Sequence, residues 1–114
     1  MLVISEQQMA AMEADHTRRK PARMVAWWDV HADLLGTRDI FSCRRLLESL
    51  ADEIAFAGLE NETQQFLFCA ARVRMPDMGD QQYLLTMDAI VGPGDDREKL
   101  LAFDGIARTV PANG

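Results

Sequence analysis

Cysteine is scarce in this chain, positive charge is in the minority, and neither a long apolar run nor an alternating one occurs. Two cysteines in 114 residues exclude a disulfide-rich scaffold. A chain of this length buries roughly two thirds of its unfolded surface and needs no covalent staple. Lysine and arginine together number 12 against 18 aspartates and glutamates, a net charge of −6. That balance excludes a nucleic-acid partner, because phosphate contacts require a dominant basic surface. No apolar run approaches the roughly 20 residues of a membrane span. Met1-Leu2-Val3-Ile4 is followed at once by Ser5-Glu6-Gln7-Gln8, so no secretory leader is expected and a cytoplasmic location is. No segment alternates with period two between hairpin turns, so strands are not expected.

Recognisable chemistry is also missing. His16 and His31 are too far apart for the two-histidine spacing of a helical zinc site, and Asp29 and Asp33 point away from His31 on a helix. No Gly-x-Ser-x-Gly elbow and no phosphate-binding Gly-Lys-Ser/Thr loop occurs. Cys43 and Cys69 both fall on apolar helix faces, where a thiol acts as a small buried hydrophobe rather than a nucleophile. A disulfide between them would be unusual in a reducing compartment. The chain is therefore read as a non-enzyme without cofactor or metal. A hydrolase with an unrecognised site ranks last among the readings, to be revived only by a deep polar pocket with perturbed carboxylates.

What the sequence does contain is helical periodicity, centred on residues 40–75. Ile40, Cys43, Leu47, Leu50, Ile54 and Ala57 form one apolar stripe, while Arg44, Arg45, Glu48 and Asp52 fall off it. Gly58 closes that helix in the left-handed conformation, and Leu59 packs back on its last turn. Asn61, with Gln64 three residues on, opens a second helix near Glu62. Phe66 to Ala71 is apolar on every side, with Val73 and Met75 continuing, as expected of a central helix buried all round. The same feature leaves open one face for a partner or a second copy of the chain.

Ser5 and Gln8 form another capping signature, so the first helical region spans 5–35, with Met9, Met12, His16, Met24 and His31 on its apolar side. Pro21 predicts a kink or break between Thr17 and Pro21. Trp27 and Trp28 point about 100° apart on a helix, so one belongs to the core and the other to a boundary or the surface. Thr37 or Asp39 caps the next helix, giving a hairpin over 40–57 and 62–75. Pro76 to Asp80 is a break, a helix follows over 81–91 with Leu84, Met87 and Val91 on one side, and Gly92-Pro93-Gly94 ends it. Asp95 and Glu98 restart a helix over 96–107 carrying Leu100, Phe103 and Ala107, and the tail 109–114 is expected to fray. The expected fold is all-α: one domain over residues 1–114 of about five helices, the first long and kinked near Pro21.

Five segments, taken in order, carry a family resemblance: Ser5 to Met12; Arg23-Met24-Val25-Ala26; Phe56 to Glu62; Met78-Gly79-Asp80; and Asp95 to Leu100. In these the chain resembles small helical proteobacterial proteins encoded beside type VI secretion genes, near PAAR-tip proteins, effectors and their adaptor chaperones. Some members look like co-chaperones of an adaptor that loads a toxic effector onto the secretion tip. The resemblance implies a non-catalytic cytoplasmic protein that binds an adaptor chaperone or a PAAR-linked effector. Arg19, Arg23, Trp27 and Trp28 are the expected contact surface, since they combine aromatic anchors with cations able to pair with carboxylates. The alternative is an immunity protein that neutralises a co-encoded toxin through an acidic face of Asp88, Asp95, Asp96 and Asp104. Composition alone reads those carboxylates as a solvated face.

Overall fold

The computed structural model describes residues 19–112, and all regular structure among them is helical. The expected helix start at Glu6, the apolar positions Met9, Met12 and His16, and the carbonyl of Thr17 lie outside the described residues. Among the described residues there are seven helices rather than about five. They are α1 (19–30), α2 (Ala32–Leu35), α3 (Ile40–Ser49), α4 (Ala51–Ala57), α5 (Glu62–Arg74), α6 (Asp80–Val91) and α7 (Asp96–Thr109).

The two additional helices come from breaks inside predicted ones. Pro21 lies buried within α1, and the break among the described residues falls at His31. There the His31 N–H donates to the Trp28 carbonyl at 3.0 Å, a tightened i→i−3 bond that ends the α-helical ladder. The second break is at Leu50, just after Ser49 donates its hydroxyl to the Leu46 carbonyl at 3.0 Å. That carbonyl also accepts from the Leu50 N–H at 3.1 Å. A serine bonding back onto the preceding turn competes with the ladder and bends the helix, which here restarts as α4.

Helix ends follow local chemistry. Asp39 caps α3 by accepting from the Ser42 N–H at 2.7 Å, Asn61 caps α5 through the Gln64 N–H at 3.1 Å, and Asp95 caps α7 through the Glu98 N–H at 2.8 Å. Gly58 has φ +73°, its N–H donates to Ala55, and the Leu59 N–H reaches the Ile54 carbonyl at 3.3 Å. These paired bonds form a Schellman close, and buried Leu59 supplies its hydrophobic contact.

Helix α5 is the centre of the core. Phe66, Leu67, Phe68, Cys69, Ala70 and Ala71 are all buried, and α6 and α7 pack against this helix and against each other. The face that the sequence left open to a second copy is therefore filled by the chain itself. Met24 and Trp28 from α1, Cys43 from α3 and Ile54 from α4 complete the core with Phe103 from α7.

Helix α6 turns a different face inward from the one its hydrophobicity predicts. Gln82, Thr86 and Ile90 are buried, whereas Leu84 and Val91 are exposed. Gln82 can be buried because both ends of its amide are satisfied: Oε1 accepts from the Gly79 N–H at 3.3 Å and Nε2 donates to the Val110 carbonyl at 2.7 Å. The second bond also holds the chain beyond α7, where a frayed tail was expected. Ala112 approaches so closely that a Cβ on Gly79 would fall 1.7 Å from its carbonyl oxygen, so only glycine fits there.

Thr86 Oγ1 is buried without a hydrogen-bond partner among the described residues. Burying an unpaired hydroxyl is unfavourable, so Thr86→Val is expected to raise stability by about 1 kcal/mol. Urea denaturation monitored by circular dichroism checks the sign; a lower midpoint in the variant would show that the hydroxyl is satisfied in solution.

Candidate interaction surface

The four residues expected to form a contact surface on the first helix are engaged within the molecule to different degrees. Arg19 is exposed at the start of the described residues. The Arg23 guanidinium grips the Glu62 carboxylate with two nitrogens, Nη2 at 2.6 Å and Nε at 2.9 Å, joining α1 to the first turn of α5. Its hydrogen bond to Glu62 raises the Arg23 pKa further above its ordinary value. Lys20 donates beside this pair to the Gln65 side chain, whose Nε2 in turn donates to the Leu59 carbonyl at 2.7 Å.

Trp28, 1% exposed, is core rather than a surface anchor. The Arg38 guanidinium lies 5.3 Å from the Trp28 ring centroid, a cation–π contact. Trp27 is the boundary tryptophan. Its Nε1 donates to Asp96 Oδ2 at 2.9 Å, and its ring packs 5.8 Å from Phe66 and 5.1 Å from His31. The division between the two tryptophans follows the 100° step expected from the sequence. The tertiary structure assigns which goes inside.

The alternative acidic face is similarly drawn into internal contacts. Asp95 is occupied as the α7 cap and Asp96 by Trp27, while Asp104 bridges Arg74 at 2.9 Å and Arg108 at 3.2 Å. Asp88 is exposed, in a shallow depression with Gly92, Glu98 and Lys99. The Lys99 ammonium beside it donates to the Ile90 carbonyl at 2.6 Å. These four aspartates therefore do not converge as one unpaired anionic surface.

A cleft of about 220 Å³ lies between α2, α5 and α7, lined by Leu34, Leu35, Ala70 and Leu100 with Asp33, Arg74 and Asp104 at its edge. Its charges are matched: Asp33 pairs with Arg97 at 2.7 Å, and Arg74 with Asp104. Hydrogen bonding from Arg97 holds the Asp33 carboxyl below the ordinary carboxylate range. Both cysteines are free and buried, and loss of solvent pushes both thiols up in pKa, Cys69 to about 12. Among the described residues, no group of three or more histidine, cysteine, aspartate and glutamate side chains could hold a metal ion, and no helix is long and apolar enough to cross a membrane.

The most exposed aromatic side chains lie elsewhere. Phe56 on α4 is 91% exposed and Phe41 on α3 is 69% exposed. Phe56 shares a shallow depression of about 430 Å³ with Asp52, Glu53 and half-buried Tyr83, between α4 and α6. Two contacts fix its walls. Glu53 is held by Arg72 of α5 at 2.7 Å, and Tyr83 stands edge-on to buried Phe68, with ring centroids 6.5 Å apart. Exposed Leu84 extends the apolar surface of α6 next to Tyr83 in sequence.

Sequence reasoning missed this surface although a signal was there. Phe41 and Phe56 fall off the stripe from Ile40 to Ala57, on the side of Arg45 and Asp52. An aromatic residue among charges on the outer face of an otherwise well-patterned helix has no folding role to fill.

No family model, curated protein or solved structure matches this chain.

Proposed function

We propose that this protein is a non-catalytic binding module that docks another protein on the surface formed by α4 and α6. The observation that carries this reading is Phe56, a large aromatic side chain standing 91% exposed beside Tyr83 in a walled depression. Exposed aromatic surface of this kind is unfavourable in water and concentrates binding energy when a partner covers it. The partner class follows from the sequence resemblance: an adaptor chaperone or PAAR-linked effector met in the cytoplasm, with this chain acting as a co-chaperone in type VI cargo loading.

The test is capture of the co-encoded adaptor or effector by the tagged protein, repeated with purified components. Phe56→Ala is expected to weaken the complex by at least about tenfold, as a hot-spot residue would. Its exposure keeps the variant's stability within about 0.5 kcal/mol of the parent. Charge reversal at Arg19 and Arg23 serves as the competing variant for the first-helix surface. Undiminished binding by Phe56→Ala together with loss in the reversed variant, at unchanged helicity, would move the interface to α1.

A further inference from the structure

The depression between α4 and α6 has a chemical preference that exposure alone does not specify. Two of its lining side chains, Phe56 and Tyr83, are aromatic, and the other two, Asp52 and Glu53, are carboxylates. The charge of Glu53 is matched by Arg72 at 2.7 Å. Asp52 is exposed one helical turn before Phe56 and makes no ion pair among the described residues. An apolar occupant would cover the rings but leave Asp52 desolvated without a partner, and an anionic occupant would be repelled by it. A planar cation satisfies both elements at once, lying on an aromatic face while donating hydrogen bonds to the carboxylate.

We propose that the Phe56–Tyr83–Asp52 depression is a subsite for an arginine side chain presented by the partner protein. The assignment rests on the protein-docking reading above and adds to it the chemistry of the residue that enters. Arginine is preferred over lysine because its guanidinium is flat, more weakly hydrated and able to stack and pair simultaneously. The Tyr83 ring, braced edge-on by Phe68, provides a wall that does not have to be ordered when the ligand arrives.

The probe is N-acetyl-arginine amide, titrated into the ¹⁵N-labelled full chain and followed by amide chemical shifts. N-acetyl-citrulline amide and N-acetyl-norleucine amide serve as the neutral polar and apolar comparisons. Saturable shifts confined to residues 52–56 and 80–84 are expected for arginine, at least about fivefold weaker for citrulline. Phe56→Leu keeps the apolar bulk but removes the ring face, and should weaken arginine binding by about two- to fivefold. Absence of localised shifts, or equal shifts from norleucine, would overturn the subsite. If a purified partner still binds through Phe56 in that case, docking survives and only the arginine assignment falls. A partner indifferent to Phe56 would instead remove the docking reading itself.

Discussion

Replacement of Phe68 by alanine is expected to lower the unfolding free energy by about 3–5 kcal/mol. Phe68 is wholly buried at the middle of α5, and its ring also supports Tyr83 from within. Deleting it removes the transfer free energy of a phenyl group and leaves a cavity between helices that relax only in part. Against a typical domain stability of about 5–15 kcal/mol, the loss is a large fraction of the total. Equilibrium urea unfolding followed by circular dichroism measures it. A change below about 1 kcal/mol would mean that α5 is not the packed centre of the molecule, since exposed sites change this little. Phe56→Ala gives the internal contrast, because the same side chain removed from the outer face of α4 leaves no cavity.

The second large effect is a loss of stability at high pH that depends on Cys69. Burial lifts this thiol from 9.0 to about 12. Between those values the native state retains a proton that the unfolded chain has released. The unfolded state then binds fewer protons, so stability falls as pH rises. The contribution is fully present below pH 9 and is lost as pH rises toward 12, the loss reaching about 4 kcal/mol at the upper end. The thiol of Cys43, also raised by burial, acts in the same direction. Urea midpoints of the native chain and of Cys69→Ala, measured side by side from pH 8 upward, isolate the effect because other titrating groups are common to both. Parallel curves would show that Cys69 is solvated in the native state. The same burial predicts slow alkylation at pH 8, where the thiolate fraction of native Cys69 is about a thousandfold below that of a free thiol.

These two expectations differ in how much of their basis was legible beforehand. The burial of α5 could be read directly, since Phe66 to Ala71 has no polar face to offer water. The positions of Cys43 and Cys69 on apolar stripes likewise indicated buried thiols, and both are buried. Helix α6 shows the limit of such reading. Of Leu84, Met87 and Val91, its most apolar side, only the partly buried Met87 packs against the core, while Gln82, Thr86 and Ile90 are buried. The amide of Gln82 gains its partners from Gly79 and from Val110 at the far end of α7, a juxtaposition no local pattern announces. The first-helix surface illustrates the same limit, because the sequence supplied Arg23 and Trp27 but not Glu62 and Asp96, which engage them.

By itself, the sequence determined the helical class, the centre of the core and most helix ends. Asp39, Asn61 and Asp95 each satisfy an N–H three residues away, and Gly58 and Leu59 close α4 within its own last turns. Interactions of that range depend on the local chain alone. The tertiary structure decided which tryptophan is core, which face of α6 is buried, and that Phe56 stands beside Tyr83 at the surface. The physical reason is that burial belongs to pairs of surfaces: a side chain's environment is set by what the rest of the chain lays across it, and hydrophobicity along one helix specifies only half of that pair.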